Sequence, residues 1–559
     1  MRWLAICLCC GAAGAQAELR LDVPAELAAR LKPHLNAESG ERRLREASTD
    51  ILATEGYFSP QIHVEAQAEP PAGDLLLRVD PGPRTHVTVV EVDIAGPVLP
   101  ERRAALLKDW LLPVGKPFRQ ADWNDAKNQI LNDLLAEEHA GARLLDSLAD
   151  IDPETQSAAL HVSYDAGPRY RYGELEIDGL HRFRPDLIAR YNRELRPGKP
   201  YRAEEVQALV HALQGSPYFS SVRGQLDLEH AVREDEAGTL QAPVRLSVRE
   251  QPVHRARFGA GASSNTGARV EASYGNIDFL RRAWQLDTGL RWEEKRQTFY
   301  SDVFLPPTRD GERYGAGFVA EQSDIEQLRI QRQAFGVQRI EQRGRLEERL
   351  SLSWQHERRQ PGNGEWTTSR ALVPNVTWIW RNLDQTLDPR RGLVLQLSVG
   401  GGGKALLSDQ NFLRLYGRSQ FYLPIGARDT LSLRAELGRT FADSRQHVPQ
   451  DYLFRTGGTG SVRGYSYQSL GIREGKATVG GRYLATASIE YTHWLNASWG
   501  IAAFVDAGDA VDALDDARLA VGYGLGARWR SPAGPIGVDL AYGERSREMQ
   551  LHFSLAIPF

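Results

Sequence analysis

The sequence predicts α+β repeats of β-α-α-β-β order followed by a transmembrane antiparallel β-barrel of about 16 strands. Three observations predict it. Two landmarks recur in the same order in the N-terminal part, and near Val253 the texture changes to short segments of alternating polarity. The chain then closes on a strand-like segment that carries apolar side chains on one face up to Phe559.

The first element is an export signal over 1–17. Arg2 precedes an apolar run from Trp3 to Cys10, and Ala15-Gln16-Ala17 stands before Glu18. Cys7, Cys9 and Cys10 all lie within it, so the mature chain is expected to lack cysteine, which excludes thiol catalysis, thiolate metal sites and disulfides. Beyond the signal there is no apolar run of the ~18 residues that a membrane-spanning helix needs. With 25% charged and 42% hydrophobic residues and a mean hydropathy of −0.43, the chain has the balance of an ordinary folded protein. Its 68 Lys and Arg against 72 Asp and Glu provide no phosphate-tracking excess, so nucleic acid is not an expected partner.

The repeats come next. Asp80-Pro81-Gly82-Pro83-Arg84 returns as Asp165-Ala166-Gly167-Pro168-Arg169, and Gly115-Lys116-Pro117-Phe118 returns as Gly198-Lys199-Pro200-Tyr201 at nearly the same interval. Each unit reads as a short strand, a helix, the Gly-Lys-Pro-aromatic landmark, a second helix and two strands. Proline after Gly-Lys is expected to lead into the helix, where its missing N–H costs nothing. A more divergent unit is expected over 18–80, because Glu55-Gly56-Tyr57-Phe58-Ser59 parallels Ser216-Pro217-Tyr218-Phe219-Ser220.

From Val253 the period is two. Leu393, Leu395, Leu397 and Val399 share one face, as do Leu431, Leu433, Ala435 and Leu437, and as do Leu519, Val521, Tyr523, Leu525, Ala527 and Trp529. A soluble sandwich also alternates. The export signal, the scattered tryptophans and one uninterrupted β block over 253–559 favour a barrel in a membrane, where closure satisfies every backbone group. In the final segment Met549, Leu551, Phe553, Leu555, Ile557 and Phe559 line one face, as a strand that closes a barrel requires.

Within the barrel half, Gly457-Gly458-Thr459-Gly460-Ser461 leads into Val462-Arg463-Gly464-Tyr465. Phe504-Val505-Asp506-Ala507-Gly508 and Gly524-Leu525-Gly526-Ala527-Arg528 follow. If the apolar face meets lipid, Asp506, Arg528 and Asp539 point into the lumen. These three motifs, in this order, resemble those of the Omp85 superfamily of outer-membrane assembly and secretion proteins. The β-α-α-β-β units look like its POTRA domains, over 18–80, 81–166 and 167–252, before the barrel at 253–559. Three units with a barrel of this size most resemble the TamA branch.

The resemblance implies that the loop of Val462, Arg463, Gly464 and Tyr465 folds into the lumen, where Arg463 meets Asp506 of the Phe504, Asp506, Gly508 motif. The Gly524, Gly526, Arg528 motif would lie on the wall beside it. A guanidinium in a partly desolvated lumen needs a planar two-oxygen acceptor, which a carboxylate supplies. The resemblance also implies a weak lateral seam between the first and last strands, here at Phe258, Gly259, Gly261, Phe553 and Phe559. Glycine and alanine add little cross-strand packing there.

Further implications are a place in the cell outer membrane with the N-terminal units in the periplasm, and protein transport such as autotransporter assembly through the seam. Unfolded outer-membrane client proteins and outer-membrane lipid would be partners, together with a TamB-like inner-membrane-anchored protein. No cofactor is implied. A two-partner secretion transporter and the central barrel-assembly subunit of the same superfamily remain alternatives. A barrel hydrolase is disfavoured, because His254, His356, His447, His493 and His552 lie near no Gly-x-Ser-x-Gly serine and form no metal-spaced pair. No enzyme is expected.

Overall fold

A computed structural model describes residues 19–36, 40–66, 75–236, 238–531 and 534–558. The expected export signal at 1–17 and Phe559 lie outside the described residues. The chain divides into two bodies: 179–193, 212–221 and 248–559 form the barrel body, and the remainder forms an α/β body.

In the α/β body the middle repeat is the clearest. Strand His86–Ala95 is followed by helices Pro100–Lys108 and Gln120–Ala136 and then by strands Arg143–Asp152 and Ser157–Asp165. The last strand lies between the other two, parallel to the first and antiparallel to the second. Its alternation buries Ala158, Leu160, Val162 and Tyr164. The helix Gln120–Ala136 buries Trp123, Ala126, Ile130 and Leu134, a three-and-four spacing that places one stripe on the same core.

The first repeat has the same order, from Leu19–Asp22 through Ala25–Leu31, Glu41–Thr54 and Gln61–Ala66 to Leu75–Asp80. A third sheet pairs Leu240–Ser247 in parallel with Tyr170–Asp178 and adds a short strand, Val232–Arg233.

The Gly-Lys-Pro-aromatic landmark does not start a helix. It runs as an extended strip beside the first strand of its own unit. Val87 N donates to Lys116 O at 2.9 Å and Gly115 N to Val87 O at 2.8 Å, and Tyr172 N to Lys199 O and Gly198 N to Tyr172 O repeat the pattern. Pro117 and Pro200 sit at these bridges because an edge strip tolerates a residue without an N–H. The helices begin only at Gln120 and Ala203.

The turn after the helix Gln120–Ala136 carries a titratable pair. Arg169 bonds the Glu138 carboxylate through two nitrogens, at 2.9 and 2.8 Å, and holds it below the ordinary carboxylate range. Burial pushes the neighbouring His139 imidazole below its ordinary value of about 6.5. Both groups bind protons more readily in the unfolded chain. Stability of this body is therefore expected to fall on acidification, beginning below about pH 6.5 with His139 and deepening below about pH 4.5 with Glu138. Urea midpoints followed through Trp110 and Trp123 should decline across this range, and a flat profile from pH 7 to 4 would contradict it.

The second body is a barrel of sixteen strands, from His254–Ser263 to Glu548–Pro558, each paired with the next and the last with the first. Its outward face is apolar, with Leu397, Leu437, Ile489, Val505 and Leu525 exposed, while Thr486, Ser488, Asp506 and Asp539 are buried. Trp499 and Trp529 stack across neighbouring strands on the outer face, with ring centroids 5.4 Å apart. Among the described residues no helix is long and apolar enough to cross a membrane.

Most inter-strand connections are short, but 442–482, between strands Asp429–Phe441 and Tyr483–Trp494, turns back onto the barrel's inner wall. Its Val448 and Leu453 pack on Ala371, Val373 and Phe412, and its Ala477 and Val479 pack on Leu328 and Ile330.

Barrel strands differ in how they are joined. Leu328–Arg343 pairs Leu346–Pro361 along its whole length. Among the described residues the first and last strands register over Gly259–Ser263 against Pro558–Ser554. Ser264 N then donates to Phe553 O at 3.0 Å, and Phe553 N to Ser264 Oγ at 3.1 Å. Gly259 and Gly261 lie inside this short stretch and Phe553 at its edge. Phe258 registers with Ala272 on the second strand; its neighbour Gly259 registers with Pro558, and the next residue of the last strand, Phe559, lies outside the described residues.

Candidate functional site

Strand Trp499–Val511 alternates so that Ile501 and Val505 face outward while Phe504 and Asp506 face the lumen, fully or nearly fully buried. The loop brings Arg463 down onto them. Asp506 accepts from three donors of this one residue: the backbone N at 3.0 Å, Nε at 2.7 Å and Nη2 at 2.9 Å. Nη1 donates to Glu490 at 2.7 Å and to Asp539 at 3.0 Å. The guanidinium carbon stands 3.4 Å from the centre of the Phe504 ring, a cation over a π face.

Arg528 faces the same two outer carboxylates, with Nε 3.0 Å from Glu490 and Nη1 bonded to Asp539. Arg434 holds the loop from another side, donating to Ser461 O at 2.8 Å. Cations Arg434, Arg463 and Arg528 thus match anions Glu490, Asp506 and Asp539 in number. Charges taken out of water persist when paired and hydrogen-bonded in this way.

The glycines of the motifs serve close approach. Gly464 has φ +88, a conformation L side chains rarely adopt, and a Cβ there would stand 2.8 Å from Gly543 N. A Cβ on Gly524 would run into Leu540 O, and one on Gly526 into the Asp539 carboxylate; on Gly508 it would stand 2.7 Å from Ala485 O. Val462 packs with Tyr465, Leu470 and Ala520. Tyr465 donates its hydroxyl to Val521 O at 3.0 Å and accepts from Arg545 N at 2.9 Å. The three motifs converge on one point of the inner wall.

Several residues at the site carry no motif. Glu490 shares an inward face with Thr486 and Ser488, opposite Ala485, Ala487 and Ile489, so the alternation of its strand could have located it. His552, which accepts from Gly464 N at 2.8 Å, and Asn265, which donates to Thr459 Oγ1 at 2.8 Å, have no local signal. The arrangement presents no nucleophile beside a base. What it can do is hold a long loop inside a barrel.

A family model described as Omp85 superfamily domain matches residues 254–559. The outer membrane protein assembly factor BamA of Nitratidesulfovibrio vulgaris is 27% identical over 179 residues, 31% of this chain, and the match spans 22% of that relative's length. Among solved structures, BamA from Haemophilus ducreyi lacking POTRA domains 1–3 superposes with a TM-score of 0.71 at 18% identity, covering 84% of this chain and 100% of that one. At that identity the likeness is one of fold. CdiB from Acinetobacter baumannii aligns over 96% of this chain and 99% of its own at 14% identity, with a TM-score of 0.47.

Proposed function

Because this chain belongs to the Omp85 superfamily, we propose that it is an outer-membrane assembly or translocation factor, with its barrel in the outer membrane and its POTRA-type units in the periplasm. Client proteins, autotransporters among them, pass into the membrane through the junction of strands His254–Ser263 and Glu548–Pro558. A TamB-like inner-membrane-anchored protein delivers them, in the manner of the TamA branch.

One observation carries this reading: among the described residues the junction is registered over Gly259–Ser263, while Leu328–Arg343 and Leu346–Pro361 pair along their whole length. Each backbone hydrogen bond contributes about 0.5–1.5 kcal/mol net in water. Within lipid an unpaired group costs several kcal/mol, so edges that part must be recapped. A client strand laid along them restores the lost bonds through its main chain and needs no particular side chains. The exchange requires no nucleotide.

Ala262 and Leu555 are register partners across the junction. Opposed residues there lie within the Cα separation that a disulfide spans. The double variant Ala262→Cys, Leu555→Cys is expected to lose client insertion when oxidised and to regain it on reduction. Undiminished insertion by the oxidised protein would sink the reading.

A further inference from the structure

The luminal loop touches both sides of the junction. On the side of the last strand, Gly464 N donates to His552 Nε2 at 2.8 Å, and the Gly464 backbone lies against Gly543 of the preceding strand so closely that a Cβ would not fit. On the side of the first strand, the hairpin turn that follows Ser263 presents Asn265. Its amide nitrogen donates to Thr459 Oγ1 at 2.8 Å and its amide oxygen accepts from Thr459 N at 3.3 Å.

That turn is itself fastened. Thr266 donates to Glu293 at 2.9 Å, and Glu293 is bonded by Arg296 at 2.9 Å. At the other end the loop is pinned by Arg463 to Asp506 and Asp539. A segment from Thr459 to Gly464 therefore spans from the first hairpin to the last strand, next to the place where the two strands are joined over so short a stretch.

We propose that this segment is a clasp across the junction, with Asn265 and His552 as the positioning residues that keep it shut. This rests on the reading that the junction opens. On the last-strand side His552 shares the hold with Arg463, whereas on the first-strand side the segment is held through Asn265. Loss of Asn265 should therefore free the junction as much as loss of both attachments, and loss of His552 with Arg463 in place should free it less.

His552 accepts at Nε2, so its proton is on Nδ1, which has no partner among the described residues. A glutamine at 552 offers an amide oxygen in place of that acceptor and phenylalanine offers none. The test uses the full-length protein in phospholipid vesicles, with spin labels at Val270→Cys on the second strand and Leu551→Cys on the last. Both positions face outward and are more than half exposed.

Asn265→Ala should enlarge the long-distance population several-fold, and His552→Phe should enlarge it by a smaller factor. The double variant should match Asn265→Ala, and His552→Gln should restore the wild-type distribution. Thr459→Ala, which removes the hydroxyl partner of Asn265 from the loop side, should move the distribution in the same direction and guards against a folding artefact at Asn265. A double variant that exceeds Asn265→Ala, or variants indistinguishable from wild type while the wild-type protein opens with an unfolded outer-membrane barrel protein present as client, would overturn the clasp. A wild-type junction that never opens with client would instead overturn the reading on which the clasp rests.

Discussion

Replacing Asp506 by alanine is expected to release the luminal loop and to cost the barrel about 3–5 kcal/mol, the range for removing one member of a buried ion pair. Asp506 is wholly inaccessible and accepts from the Arg463 backbone N, Nε and Nη2. Alanine takes the acceptor from all three donors of a guanidinium that lies over the Phe504 ring. Glu490 and Asp539 still receive Nη1, so the loss is not the whole of the cluster. Asp506→Asn, which keeps one acceptor oxygen and the shape, should fall clearly short of the alanine variant. Urea unfolding of the folded barrel in lipid, together with trypsin cleavage within 455–463, measures both effects. Equal behaviour of Asp506→Ala and wild type in both assays would show that the cluster does not hold the loop.

The second large effect is steric. Gly522 lies on strand Ala520–Ser531 directly beneath the descending loop, and a Cβ there would overlap the Arg463 carbonyl oxygen. The obstacle is backbone on both sides, so no rotamer change relieves it. Gly522→Ala should cost about 1–3 kcal/mol or more as an overpacked contact and should lift the loop off the wall. Gly460 provides the comparison within the same loop, since a Cβ there meets nothing within 4 Å. Gly460→Ala should leave protease resistance unchanged while Gly522→Ala abolishes it, and the reverse order would contradict this account of why glycines stand where they do.

The barrel was legible because its signal is local. A period of two over each strand and an unbroken block to the end of the chain require only neighbours in sequence, and the sixteen strands follow from that block's length. The repeats were legible for the same reason, through landmarks that return in order. The role of the proline landmark was not. Pro117 and Pro200 look like helix leads from their neighbours, and only the pairing with the first strand of each unit shows them on an edge strip.

At the candidate site the division is the same. Val462-Arg463-Gly464-Tyr465, Asp506 and Arg528 stand in motifs, and alternation places Asp539 inward. Glu490 was within reach of that same alternation. Asn265 and His552 were not, because each is an ordinary residue whose meaning comes from a partner some two hundred or ninety residues away.

By itself, then, the sequence determined the order of elements, which face of each strand is apolar and which motifs supply the buried charges. The tertiary structure alone decided how far the first and last strands overlap and which residues the returning loop touches. Register between chain ends, and the path of a loop through a lumen, depend on how the whole circle closes, and no stretch of adjacent residues encodes that sum.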